Sequence, residues 1–166
     1  MLTPAHRRYL RAESALSAAI NGAISVGFVL AVFHGQPRVG ADALVRDALP
    51  QSFMVALMGS AVPTLVTRRR LRAGAVAPLP VAGAAMPANV AVRAVLIAVP
   101  VAVVAVAAHW LLLPRLLSAA VPFGRVLAGK ALYGALLGAG VTWFAVRAAL
   151  ADGERVGADR PPRELA

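Results

Sequence analysis

The sequence predicts an all-α integral membrane protein: a four-transmembrane-helix bundle with both termini in the cytoplasm. Three observations predict it. Four apolar stretches, 15–33, 49–66, 94–113 and 131–150, are each close to the roughly 20-residue helix that spans a bilayer core of about 30 Å. The chain is 60% hydrophobic and 14% charged, whereas soluble domains run at about 45–50% and about 25%. The basic residues sort to alternate sides of the apolar stretches.

The first stretch follows the basic start His6-Arg7-Arg8-Tyr9-Leu10-Arg11. It is longer than the roughly 7–15 residues of a signal-peptide core, and Val32–Pro37 lacks a small-x-small cleavage pattern. It reads as a retained anchor. The second stretch is closed by Arg68-Arg69-Arg70-Leu71-Arg72. That run is a strong stop signal, because one arginine at mid-bilayer costs about 2.5–3.5 kcal/mol. Residues 73–91 are apolar but carry Gly74, Pro78, Pro80, Gly83 and Pro87. Each interior proline would cost a helix about 3 kcal/mol, so an irregular segment on the membrane surface is expected. Asn89 is placed to cap the third helix. The loops opposite, 35–48 and 114–125, are short. Residues 1–150 form one membrane domain, and the polar tail 151–166 with Pro161-Pro162 is expected to be disordered.

Orientation follows from lysine and arginine in the short loops. With the N-terminus inside, the inner segments hold Arg7, Arg8, Arg11, Arg68, Arg69, Arg70, Arg72, Arg93, Arg147, Arg155, Arg160 and Arg163, twelve in all. The outer segments hold five: Arg38, Arg46, Arg115, Arg125 and Lys130. The bias places the N- and C-termini inside. Arginine outnumbers lysine 16 to 1 amid abundant alanine, valine and glycine, which suggests GC-rich coding and a bacterial inner membrane. The net charge of +10 fits a rim facing anionic lipid, at about 1 kcal/mol per nearby cation. Nucleic acid is not expected as a partner, since no basic face interleaved with aromatics is present.

The second and fourth stretches align without gaps at an offset of 79: Ala56-Leu57-Met58-Gly59 lies over Ala135-Leu136-Leu137-Gly138, and Arg68, Leu71 and Gly74 lie over Arg147, Leu150 and Gly153. The first and third match more weakly at an offset of 75, which sets His34 over His109. The pattern reads as two tandem two-helix hairpins, related by an axis along the membrane normal.

Cysteine is absent, which excludes disulfides, thiolate metal sites and cysteine nucleophiles. No phosphate-binding glycine loop, zinc-protease motif or serine-hydrolase elbow is present. Polar residues instead form stripes. Glu13, Ser14, Ser17, Asn21 and Ser25 share one face of the first helix. Ser52, Gly59, Ser60, Pro63 and Thr67 share a face of the second. Lys130, Gly134, Gly138 and Thr142 recur every four residues in the fourth. In lipid such stripes must face protein or water. Helix packing is the plain reading, and a polar path along helices one, two and four is the sharper one. Glu13 is expected at the inner margin among Arg7, Arg8 and Arg11, with Arg68 or Arg93 close by, and no carboxylate is expected deep in a span. Lys130 is expected to start the fourth helix with its stem reaching the interface. His34 and His109 are expected to close the outer ends of the first and third helices, where they could bind a haem.

Three functions follow in order. The first is a small non-enzymatic inner-membrane protein, without cofactor, acting through helix packing with itself as a homo-oligomer or with a larger membrane complex. The second is a small transporter or channel using the polar path. The third is a b-type haem or metal protein using His34 and His109.

Overall fold

Thr3-Pro4 opens the first helix. Proline suits the first helical position because its missing N–H has no partner there. Thr3 Oγ1 accepts from the His6 amide at 3.2 Å, and His6 Nδ1 accepts from the Thr3 amide at 3.4 Å. In the computed structural model, which describes residues 2–80, 86–117 and 120–153, α1 spans Pro4–Phe33, α2 Ala41–Arg72, α3 Val90–Leu116 and α4 Phe123–Leu150. Asn89 caps α3 as expected, its Oδ1 accepting from the amides of Ala91 at 2.9 Å and Val92 at 3.2 Å. All four helices are long and apolar enough to cross a membrane.

Every helix outruns its apolar stretch. Hydropathy marks the part that belongs in hydrocarbon, but the backbone keeps its own hydrogen bonds well beyond it. At 1.5 Å per residue the helices measure about 40–48 Å, against a core of about 30 Å. The loops expected at 35–48 and 114–125 are therefore shorter than the sequence suggested. Asp42 and Arg46, read as loop residues, form an i,i+4 ion pair of 2.8 Å on the first turns of α2. Between the helices lie two short strands, β1 (Arg38–Val39) and β2 (Val121–Pro122), paired antiparallel with Arg38 opposite Pro122 and Val39 opposite Val121.

The packing order is not the chain order. α4 lies between α1 and α2, α3 packs on the other side of α2, and α1 and α2 touch only sparsely. At the β1/β2 end Val29, Phe33, Val39, Leu44 and Val126 form a buried cluster. Midway, Ala56, Ile97, Ala98 and Val141 close α2, α3 and α4 together. At the end bearing the termini Leu10, Leu71, Leu79, Val146 and Leu150 form the third cluster. Leu16, Ile20, Val103, Val104, Leu132 and Leu136 are exposed, so the outer faces of the helices are apolar.

Residues 73–80 are irregular, as the prolines require. They are also anchored into the bundle end: Leu79 is buried, its amide donates to Leu150 O at 3.0 Å, and His6 Nε2 bonds Ala77 O at 2.9 Å. Residues 81–85 of that segment, and 154–166 of the tail, lie outside the described residues. Asp152, assigned to the tail from sequence, is buried instead. Its carboxylate accepts from Arg68 Nη2 at 2.7 Å and Arg93 Nη2 at 2.9 Å. Arg93 is itself buried, and a buried guanidinium demands a carboxylate. That demand orders the first residues after α4.

Candidate functional site: a polar seam between α1, α2 and α4

The three polar stripes meet. α4 contributes the close approach, through Gly134 and Gly138. A Cβ at Gly134 would lie 1.9 Å from Ser25 Oγ and 2.9 Å from Asn21 O, and one at Gly138 2.5 Å from Asn21 Nδ2. Only glycine admits α1 at this distance. From α2, Gly59 faces Gly138 and Thr142: a Cβ there would lie 3.6 Å from Thr142 Oγ1 and 3.8 Å from Gly138 O.

Hydrogen bonds stitch the contact. Ser17 Oγ donates to Gly138 O at 3.1 Å. Asn21 Nδ2 donates to Ser17 O at 2.9 Å and faces Ser17 Oγ at 3.0 Å. Thr142 Oγ1 lies 2.9 Å from Gly59 O and 2.7 Å from Ser17 Oγ, so its one proton is shared between them. Gly59 O needs that donor. Pro63, four residues on, has no N–H to give it. Ser60 turns its hydroxyl back onto Ala56 O at 2.7 Å and, among the described residues, makes no bond across helices.

Toward the β1/β2 end the seam becomes charged. Lys130 Nζ, expected to reach the interface, is buried two turns inside α4. It donates to Asp47 Oδ2 at 2.7 Å and Gln51 Oε1 at 2.8 Å, and Gln51 Nε2 continues to Ser25 Oγ at 2.9 Å. Asp47 falls in the loop expected at 35–48 and Gln51 in the apolar stretch 49–66, and the structure places both on α2. Asp47 lies two turns into α2, just ahead of the apolar stretch 49–66, with its side chain 8% exposed. The signal was available in the spacing of Asp47 and Gln51, one helical turn apart, facing a lone lysine. Beside this chain Ser52 Oγ and Tyr133 Oη lie 2.6 Å apart, and Tyr133 meets His109 edge-on at 4.9 Å.

Glu13 is at the terminus-bearing end, but its partner is Arg70, whose Nη1 donates to Oε1 at 2.5 Å. Arg68 and Arg93, expected near it, are taken by Asp152. The Arg70 guanidinium also sits 5.3 Å over the Tyr9 ring. Between α1 and α2, where contact is sparse, a groove of about 330 Å³ runs from Glu13 and Arg70 past Leu16, Ile20 and Met58, with Ser17 and Asn21 among its walls.

The two histidines are not matched in position. His34 is exposed just past the end of α1, whereas His109 lies within α3, which runs on to Leu116. His109 Nδ1 is committed to Ala105 O at 2.8 Å. The weaker alignment at offset 75 does not follow the helix ends. Among the described residues no group of three His, Asp or Glu side chains is placed to hold a metal.

Chemically, the seam is mainly a set of hydroxyl, amide and carbonyl groups bonded to one another, plus one neutralised ion pair, while Ser14 Oγ on the α1 stripe is buried with no partner among the described residues. Ser17 and Thr142 bond to hydroxyl, amide and carbonyl groups rather than to a base that could activate them. No family model, no curated protein and no solved structure matches the chain.

Proposed function

We propose that the protein is a non-enzymatic module of a bacterial inner membrane, which acts by packing with a second copy or with a larger membrane complex. One observation carries the reading: the polar stripes are used against each other inside the bundle. They lock three helices together and leave no activated nucleophile, while the faces turned outward are apolar. Lateral grooves between α1 and α2 and between α3 and α4, the latter about 460 Å³ and lined by Leu96, Pro100, Leu136 and Phe144, offer seats for helices from outside. Cross-linking in native membranes, followed by mass measurement in mild detergent, is expected to find species heavier than the monomer. A lone monomer overturns the proposal.

The same reading holds the chain to be two tandem hairpins, with both termini in the cytoplasm and anionic lipid at the arginine rim. The aligned register supports the duplication. Gln51 and Lys130, 79 residues apart, bond directly, and Gly59 faces Gly138, also 79 apart. Equivalent residues meet in this way on an internal two-fold axis. The packing of α1 on α4 is the counterpart of α3 on α2. The twelve-to-five arginine and lysine bias supports the orientation. Reporters after Arg72 and after Arg115 are expected on opposite sides, and a shared side overturns the threading.

A second reading, a small transporter, is favoured by the buried Asp47–Lys130 pair, because ionisable groups within membrane helices commonly line ion paths. It expects Glu13→Gln, Asn21→Ala and Lys130→Ala to lower proton or cation flux into proteoliposomes. Unchanged flux in all three sinks it.

A further inference from the structure

A further cavity is unlike the two lateral grooves. It measures about 240 Å³ and lies between α2, α3 and α4 at the β1/β2 end. Part of its lining is apolar, with Leu44, Leu113, Leu117 and Val126, but Arg125 and Lys130 also line it. Among the described residues Arg125 has no hydrogen-bond or ion-pair partner. Lys130 spends two of its three N–H donors on Asp47 and Gln51, and keeps one.

We propose that this cavity binds an anionic amphiphile, with an apolar chain against the leucines and a carboxylate or phosphate head between Arg125 and Lys130. The charge balance sets the head. Asp47 neutralises Lys130, so Arg125 leaves the site with one net positive charge. Arg125 is an exposed guanidinium on the cavity wall with no partner among the described residues, and an anionic head gives it charge-assisted, two-pronged bonds. The walls set the tail. A small hydrated anion would lose its water against leucines with too few donors to replace it, whereas an alkyl chain belongs there. A cationic ligand would meet the wrong sign.

The test uses the full chain in nanodiscs of zwitterionic lipid, labelled with a photoactivatable stearate. Adducts are expected to concentrate on the peptides carrying Leu113, Leu117 and Val126. Arg125→Ala is expected to weaken labelling about tenfold, the scale of one lost charged hydrogen bond, while Arg125→Lys retains most of it. Leu117→Trp, which fills the cavity and leaves the charges, is expected to abolish labelling with helicity unchanged. Oleate and oleyl phosphate are the competing arms. Success of either supports the site and names its head group. Adducts spread evenly over the lipid-facing helices, or unchanged labelling in Arg125→Ala, overturn the proposal. Equal competition by oleyl alcohol overturns the anion requirement, and competition by inorganic phosphate alone overturns the amphiphile.

Discussion

Pro63 removes one amide from α2, and Thr142 supplies the replacement donor from α4. Inside a membrane a carbonyl without a partner has no water to turn to, so the Thr142 hydroxyl at 2.9 Å from Gly59 O repairs a defect that proline creates. The two residues are 79 apart, the register of the proposed duplication. If that proposal holds, one copy carries the defect at the position where the other carries the repair. Thr142→Val keeps the shape and removes the donor. It is expected to destabilise the protein by about 1 kcal/mol, in the range of membrane interhelical bonds. With Pro63→Ala the helix supplies its own N–H to Gly59 O, and Thr142→Val should then cost about half as much or less. Equilibrium unfolding in mixed micelles, run as a double-mutant cycle, measures both costs. Equal costs in the two backgrounds would mean that Pro63 and Thr142 are not coupled. Asp47 and Gln51 carry a different lesson at this scale. Each is a single polar residue beside an apolar run, and neither announces a partner until the other helix is in place. Lys130 was legible as a polar residue, but not as half of an ion pair.

Helices were the most legible elements, for a physical reason. Twenty apolar residues in a row have one good use, and all four such stretches became helices. Their ends were not legible from hydropathy, because α2 starts at Ala41 and α4 at Phe123 among residues suited to the interface and not the core. Capping chemistry did better at α3, where Asn89 marks the start as expected, whereas the Thr3-Pro4 start of α1 was not read from the sequence. The spacing of Gly134 and Gly138 signalled close approach but not the partner, which is α1. Glycine tolerance makes that assignment testable. At Gly134 an added methyl would strike the Asn21 carbonyl, backbone that cannot swing aside, so Gly134→Ala is expected to cost about 1–3 kcal/mol. At Gly140, on the same helix, nothing lies within 4 Å of an added Cβ. Gly140→Ala should be neutral, or stabilising by up to about 1 kcal/mol from helix propensity. Thermal unfolding of the two variants in one detergent compares them. A Gly134→Ala protein as stable as Gly140→Ala would contradict the α1–α4 contact.

The whole molecule is held across its halves. α1 finds its main partner in α4 and α3 finds its main partner in α2, while the covalently adjacent α1 and α2 touch little. The clusters repeat the pattern: Leu10 and Leu71 of the first half close on Val146 and Leu150 of the second, and Val29 and Phe33 close on Val126. None of this crossing was legible in the linear pattern, which records how apolar each stretch is and not which helix lies behind which. One ion cluster seals the arrangement. Asp152 joins Arg68 from the first half to Arg93 from the second, and Arg93 and Asp152 are each about 1% exposed. A chain cut between α2 and α3 should therefore behave as two incomplete halves. Expressed alone, each hairpin exposes its polar stripe to lipid, and is expected to be degraded or to aggregate. Expressed together, the halves should recover a one-to-one complex that survives mild detergent. Asp152→Asn in the second half strips the carboxylate charge from two arginines, one of them fully buried. Losing one partner of a buried pair costs about 3–5 kcal/mol, enough to dissociate the split complex while the uncut chain still folds. Size-exclusion chromatography of the co-expressed halves reads both outcomes. A first half that is monodisperse and thermally stable by itself would show that each hairpin folds alone, and that the crossing between halves is not what holds the bundle.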